Sequence, residues 1–218
     1  MSGDLSPGLD LMAMRRDYSQ RGLDDTEAGN DPIALFDTWL RAALEQQLPE
    51  PYAMTLASAS PDGAPSARVV LLRQFDNQGL VFFTNYESRK GRELDLNPRA
   101  SAVFFWPELE RQVRFEGSVE RISAAESDAY HLRRPPESRY GSAASPQSQV
   151  IASRDELARR VEELRRLHPE GVPRPEHWGG YRLTPSVVEF WQGRPSRLHD
   201  RIRFRLADGA WKRDRLAP

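Results

Sequence analysis

Arginine is the residue type placed for chemistry in this chain. The stretch Arg68-Val-Val-Leu-Leu-Arg73 has an apolar centre and a cation at each end. A turn signal, Asp76-Asn-Gln-Gly79, and a second apolar run, Leu80-Val-Phe-Phe-Thr84, follow it. Asn85-Tyr-Glu-Ser-Arg-Lys90 then reads as a loop entering a helix, with Ser88 as N-cap. Arg89 and Lys90 fall in its first turn, where the helix dipole disfavours cations. A bound anion would resolve that conflict, because free backbone N–H groups and the cations can share it. Arg68, Arg89 and Lys90 therefore suggest a phosphate site at the edge of a barrel. The competing reading is a solvated basic turn.

A second group lies in Gly193-Arg-Pro-Ser-Arg-Leu-His-Asp-Arg201. Arg197, His199 and Arg201 alternate, so an extended segment would point them to one side. Beside the aromatic pair Phe190-Trp191 they look like a site for an anionic ligand. A third group, Met14-Arg-Arg-Asp-Tyr18, lies in a polar arm over residues 1 to about 30. It could fold over a ligand, or it could be a surface helical turn. A guanidinium is a planar fork suited to phosphate.

Other chemistries find little support. The chain of 218 residues has no cysteine, which excludes disulfides, thiolate metal sites and cysteine nucleophiles and fits a cytoplasmic protein. The four histidines, His131, His168, His177 and His199, show no metal-ligand spacing. There is no Walker loop, no Gly-x-Ser-x-Gly elbow and no Gly-x-Gly-x-x-Gly. A net charge of −1 gives no global field to recruit nucleic acid or membrane, so anion binding must be local. No apolar run reaches the roughly 18 residues of a membrane span, and residues 1–10 lack a signal-peptide core.

The elements that must position these groups are short. Asp31-Pro32 opens a helix whose apolar face is Leu35, Phe36, Trp39, Leu40, Ala43, Leu44 and Leu48. Strands are expected at 52–58, 67–75, 80–84, 100–106 and 112–122, with a helix from Ser88 to Asn97-Pro98. Ser123-x-x-Glu126 and Ser153-x-x-Glu156 are capping-box signatures of two more helices. Between these helices, 137–148 reads as a polar loop. Strands at 187–192 and 201–206 follow, and Asp208-Gly209 turns the last strand back. The expected fold is mainly β with flanking helices, an antiparallel barrel. Residues 31–218 form one domain behind a flexible N-terminal arm.

At these residues the chain resembles the pyridoxine (pyridoxamine) 5′-phosphate oxidase family, over nearly the whole chain beyond the first dozen residues. Its most specific pieces are Arg68-Val-Val-Leu-Leu-Arg73, Phe83-Thr-Asn85, Ser88-Arg-Lys90, Leu109-Glu-Arg-Gln-Val113, Phe190-Trp-Gln-Gly193 and Arg197-Leu-His-Asp-Arg201. The resemblance implies an FMN-binding split barrel, a homodimer with FMN at the interface. It implies oxidation of pyridoxine 5′-phosphate and pyridoxamine 5′-phosphate to pyridoxal 5′-phosphate by hydride transfer to FMN. Oxygen would reoxidise the flavin and give hydrogen peroxide.

Carried over by resemblance, Arg68, Arg89, Lys90, Gln147 and Ser148 would hold the FMN phosphate and the nearby ribityl chain. Val69, Val70, Leu71, Leu72 and Arg73, with Phe83, Thr84 and Gln112, would line the rest of the flavin. Trp191 and Arg201 would reach it from the partner subunit. Arg73, Tyr130, Arg134 and Ser138 would bind the substrate phosphate. Arg197 and His199, the catalytic candidates, would close over the pyridine ring with Leu198 between them, and Arg15 and Tyr18 would form a lid. Two positions depart from the family pattern: Arg73 stands where Lys is expected, and Phe83 where Tyr is expected. Two rival functions are a different split-barrel flavoprotein and a non-catalytic carrier of pyridoxal phosphate.

Overall fold

Two polar side chains start the packed part of the molecule. Asp24 accepts the Glu27 N–H and opens a single turn, α1 (Asp25–Ala28). Asp31 accepts the Ile33 and Ala34 N–H groups and opens α2 (Pro32–Glu45), with Pro32 in the first turn. The computed structural model describes Tyr18, Ser19 and residues 22–218, so Arg15 lies outside the described residues. Leu23 and Ala28 are each only 2% exposed, so packing begins before residue 31.

The buried stripe of α2 is Leu35, Phe36, Trp39, Leu40 and Ala43, as expected. Leu44 departs from it and is 49% exposed. Each i+4 step overshoots a full turn by about 40°, so the third member of the series Phe36, Leu40, Leu44 has rotated off the stripe. Phe36 sits at the centre of the core, with its ring 5.1 Å from Phe75 and 4.9 Å from both Phe104 and Phe115.

Among the described residues, nine strands form one antiparallel sheet. They are β1 (Ala53–Ala59), β2 (Pro65–Leu71), β3 (Gln74–Asp76), β4 (Gly79–Asn85), β5 (Arg99–Trp106), β6 (Arg111–Arg121), β7 (Trp178–Gln192), β8 (Asp200–Ala207) and β9 (Ala210–Leu216). The order is β2-β1-β5-β6-β7-β4-β3, and β8 and β9 extend from β7. The outermost strands β2 and β3 are neighbours in the chain, separated only by Leu72-Arg73. The expected strand over 67–75 is thus two strands. The Leu72 N–H bonds to the Tyr52 carbonyl and the Arg73 N–H to the Val81 carbonyl. The backbone changes partner between two adjacent residues, and that change is the split of the barrel.

β7 is the spine. It pairs with β6 along most of its length, with β4 over Trp178–Leu183 and with β8 over Val187–Gln192. The strand expected to begin at 187 begins nine residues earlier. Gly179-Gly180 and Pro185 hide it in the sequence, because both residue types weaken a strand reading. The register shifts at Glu116/Gly117, opposite Pro185. A bulge is where a residue without an N–H can sit in a strand.

The helices carry one correction. α3 (Arg89–Leu96) is capped by Ser88, and α4 (Ala124–Arg133) has the full reciprocal box between Ser123 and Glu126. At α6 (Arg154–Leu167) Ser153 caps Glu156, but the Glu156 carboxylate turns to the Ala152 N–H instead. The expected loop at 137–148 is mostly a helix, α5 (Pro136–Ala144). Pro136 is well suited to its first turn. Tyr140 and Ala144, four apart, form its buried stripe, and the Tyr140 hydroxyl donates to the His168 carbonyl at 2.5 Å. Among the described residues, no helix is long and apolar enough to cross a membrane.

Phe36→Ala removes the ring on which Phe75, Phe104 and Phe115 meet. It should cost about 3–5 kcal/mol in urea unfolding. A loss below about 1 kcal/mol would show that the core closes around the cavity or does not depend on this contact.

Candidate active site

The split in the barrel exposes the inner end of β2 to a cavity of about 490 Å³, a volume typical of a cofactor or small-molecule site. Strand residues Val69, Val70, Leu71, Phe83, Thr84 and Asn85 form one wall, with Arg73 at the split itself. The helices supply Lys90 from α3, Tyr130 from α4 and Ser138, Gly141 and Ser142 from α5. Arg134 follows α4, Ser145 and Gln147 follow α5, and Trp178 opens β7. Val69 is 65% exposed, whereas Leu72 is 6% exposed and belongs to the core, so Leu72 does not line the cavity.

Lys90 is a buried cation held by neutral groups. Its ammonium donates to Thr84 Oγ1 at 3.2 Å and to Gln147 Oε1 at 3.1 Å. Among the described residues no carboxylate pairs with it. Burial, with the neighbouring Arg68 charge, pushes its pKa down to about 8. Arg68 and Arg89 are held differently. Glu93, one turn after Arg89, accepts from Arg89 Nε at 2.8 Å and from Arg68 at 3.3 Å. The conflict of cations at the start of α3 is thus partly met inside the protein.

A second cationic group lines the same cavity. Arg134 lies 4.5 Å over the Trp178 ring and donates to Ser142 Oγ at 2.8 Å. Arg73 lies 5.7 Å from the Tyr52 ring. Arg73, Tyr130, Arg134 and Ser138 also line an adjoining recess of about 600 Å³, which Lys90 does not reach. Between the two groups the wall is flat and aromatic. Phe83 stacks on Tyr130 at 3.9 Å and on Trp178 at 5.5 Å. The Phe at position 83 therefore serves as a ring, and no hydroxyl is needed for that role.

The remaining expected residues form a separate cluster. His199 packs 4.7 Å from Trp191 and 5.4 Å from Tyr18, and Tyr18 meets Trp191 at 5.6 Å. His199 Nδ1 accepts the Arg194 N–H, which leaves the neutral ring's proton on Nε2. Gln112 faces Trp191 across β6 and β7. Arg201 donates to Glu189 at 2.8 Å and to the Ala217 carbonyl at 2.8 Å. None of these lines the cavity of the same chain.

One expectation is corrected here. The segment carrying Arg197 is not extended. Pro195–Arg197 is a 3-10 turn, with φ of 55° at Ser196 and 61° at Arg197. Alternation therefore does not put Arg197 and His199 on one side. Arg197 and Leu198 are exposed at the turn, whereas His199 is tucked against Trp191. Ser148 also has positive φ, 71°, beside Gln147.

Sequence reasoning missed Glu93, Trp178, Ser142 and Glu189. Glu93 had a legible signal, since it stands four residues after Arg89 in a helix. Trp178 had none while its strand was hidden. Among the described residues no group of acids and histidines could hold a metal ion.

The chain is similar to known proteins over nearly its whole length. Residues 40–168 match a family model described as pyridoxamine 5′-phosphate oxidase. Residues 178–218 match one described as pyridoxine 5′-phosphate oxidase C-terminal dimerisation region. A relative from Thermosynechococcus vestitus, named pyridoxine/pyridoxamine 5′-phosphate oxidase, is 57% identical over 94% of this chain and 97% of its own. One of the same name from Pseudomonas paraeruginosa is 56% identical over 95% of this chain and 98% of its own. The crystal structure of PhzG from Burkholderia lata 383, in complex with tetrahydrophenazine-1-carboxylic acid, superposes with a TM-score of 0.87 at 33% identity. It covers 93% of this chain and 100% of that one. With both family models matched and near-full-length relatives above 50% identity, this chain belongs to the pyridoxamine 5′-phosphate oxidase family.

Proposed function

We propose that this chain oxidises pyridoxine 5′-phosphate and pyridoxamine 5′-phosphate to pyridoxal 5′-phosphate, with FMN as the electron acceptor and oxygen as the final oxidant. One observation carries the reading: a single cavity is lined by two separate cationic groups, Lys90 and the pair Arg73 and Arg134, with a flat aromatic wall between them. A site for two phosphorylated, planar molecules needs those features.

The donor set fits FMN. Lys90, buried without an ion-pair partner among the described residues, would take its phosphate with Arg68, Arg89, Gln147 and Ser148. The open face of Val69–Leu71 and the Thr84 side chain would flank the rest of it. When bound, FMN supplies the hydride acceptor and the route for electrons to oxygen, which leaves as hydrogen peroxide.

The protein's own residues position and shield. Arg73, Arg134, Tyr130 and Ser138 would fix the substrate phosphate, and the Phe83 stack would keep water from one side of the cavity. Trp191, Arg201, Arg197, Leu198 and His199 stand apart from the cavity of their own chain. Their place near the ligand is therefore read as a contribution from the partner subunit, in keeping with the family's dimerisation region at 178–218. His199 Nε2–H and the Arg197 guanidinium would then orient the C4′ substituent of the substrate, with Tyr18 packed behind His199. Positioning of this kind can be worth several kcal/mol without any obligatory base.

The direct test is colour and peroxide. The purified protein should absorb near ~450 nm and release peroxide when given pyridoxine 5′-phosphate. A colourless protein that binds pyridoxal phosphate without turnover would leave the carrier reading standing.

Arg134→Ala should raise KM for pyridoxine 5′-phosphate and leave FMN content unchanged. Loss of a charge-assisted bond costs about 1.5–3 kcal/mol, roughly tenfold to a hundredfold in affinity. Loss of flavin with unchanged KM would exchange the two assigned phosphate groups.

FMN affinity should fall as pH rises above about 8, because Lys90 then loses the proton that faces the phosphate. Lys90→Met should bind FMN more weakly and show a flatter profile over the same range. Identical profiles in both proteins would remove Lys90 from the phosphate site.

Light scattering should give a dimer, and dilution into monomer should release FMN. A monomer that retains tight FMN would overturn the shared site.

A further inference from the structure

The side chain of Glu93 is 8% exposed, yet it is the most heavily bonded acid near the cavity. Its Oε1 accepts from Arg89 Nε at 2.8 Å. Its Oε2 accepts from Ser58 Oγ at 2.6 Å, Ser66 Oγ at 2.5 Å and Arg68 at 3.3 Å. Ser58 lies on β1, Ser66 and Arg68 on β2, and Arg89 on α3 with Glu93 itself. Burial alone would raise its pKa, but the Ser58, Ser66, Arg89 and Arg68 bonds hold it down to about 2. We infer that Glu93 is the positioning residue of the flavin phosphate site: it holds Arg68 and Arg89 in their binding geometry before the phosphate arrives and sets the net charge of the site. The inference rests on the FMN reading above.

Two features separate this role from simple structural support. The first is what Glu93 leaves available. It uses only Nε of Arg89, and among the described residues the terminal nitrogens of that exposed side chain have no partner. An otherwise mobile arginine is thereby fixed with its fork still open, and preorganisation of this kind improves affinity by lowering the ordering cost of binding. The second feature is charge. Arg68, Arg89 and Lys90 carry three positive charges and Glu93 one negative charge, so the cluster keeps two. A phosphate monoester near neutral pH carries about −1.5 to −2. The match favours a phosphorylated flavin over a neutral one.

The test compares FMN with riboflavin, which has the same ring system and no phosphate. Flavin-free wild type, Glu93→Ala and Glu93→Gln are titrated with each flavin by fluorescence quenching, with folding followed by circular dichroism. Glu93→Ala should weaken FMN by about tenfold or more and change riboflavin by less than about twofold. Glu93→Gln keeps an acceptor oxygen and should fall between alanine and wild type. Equal losses for both flavins would make Glu93 a structural support only. Unchanged or tighter FMN binding would show that Glu93 does not position the arginines or competes with the phosphate for them. If only Glu93→Gln folds, its FMN-to-riboflavin ratio decides the matter alone: a wild-type ratio overturns the inference. A wild type that binds neither flavin overturns the cofactor reading, and this inference with it.

Discussion

Arg68 and Arg89 stand close together beside the cavity, each within 3.3 Å of Glu93. Mutual repulsion and side-chain entropy both oppose that arrangement. The structure meets both with buried carboxylates. Glu93 ties Arg68 and Arg89 together across α3, β1 and β2. Glu189, 4% exposed on β7, does the same between Arg114 at 2.6 Å and Arg201 at 2.8 Å. Buried ion pairs add little net stability, because desolvation offsets much of their attraction. Their contribution here is geometric: they determine where the guanidinium groups point. Lys90, like Arg134, is bonded to neutral oxygens, and burial with the neighbouring Arg68 charge lowers its pKa.

The barrel's split follows from one change of partner. The chain leaves β1 at Leu72 and joins β4 at Arg73, so the sheet cannot close there. Arg73 is held at the gap by its own backbone bond to Val81, and its side chain faces the opening. The family pattern expects lysine at this position. Arginine keeps the charge but offers a fork instead of a point donor, with the flat face resting near Tyr52. The fold and the site therefore share a cause, since the same two residues that break the strand expose the cavity.

Most of this was legible in the sequence where one local rule decided the outcome. Asp31-Pro32, Ser88 and Ser123 each cap the helix their spacing indicates. The cations at the start of α3 were visible as an arginine–lysine pair in a first turn. The misses occurred where tertiary contacts overrode local signals. The polar run 137–148 forms α5 because Tyr140 and Ala144 find a partner surface. Gly179, Gly180 and Pro185 read as breakers, yet they lie in the strand that pairs with three others, the two glycines packed close under the side chains of Tyr86 and Ile122 and the proline beside a bulge. Arg197 was placed by assuming extended backbone, and two consecutive positive φ values undo that assumption. Neither value could be read from Ser196 and Arg197, which seldom adopt that region.

The aromatic wall links the two cationic groups into one recognition surface. Phe83 lies stacked with Tyr130 and Trp178, and Arg134 lies on the far partner of that stack, Trp178. Moving Arg134 would break its contact with Trp178 and its bond to Ser142 together. Moving Phe83 would disturb Tyr130, which shares the same recess as Arg134. A flat ring held against this wall would therefore stand in fixed relation to Arg134, the arginine proposed to take its phosphate. A tyrosine at position 83 would add a hydroxyl at the edge of its ring, beside Tyr130 and Trp178. Phenylalanine keeps that ring wholly apolar, and the polar groups of the cavity wall stay with Lys90, Arg73 and Arg134.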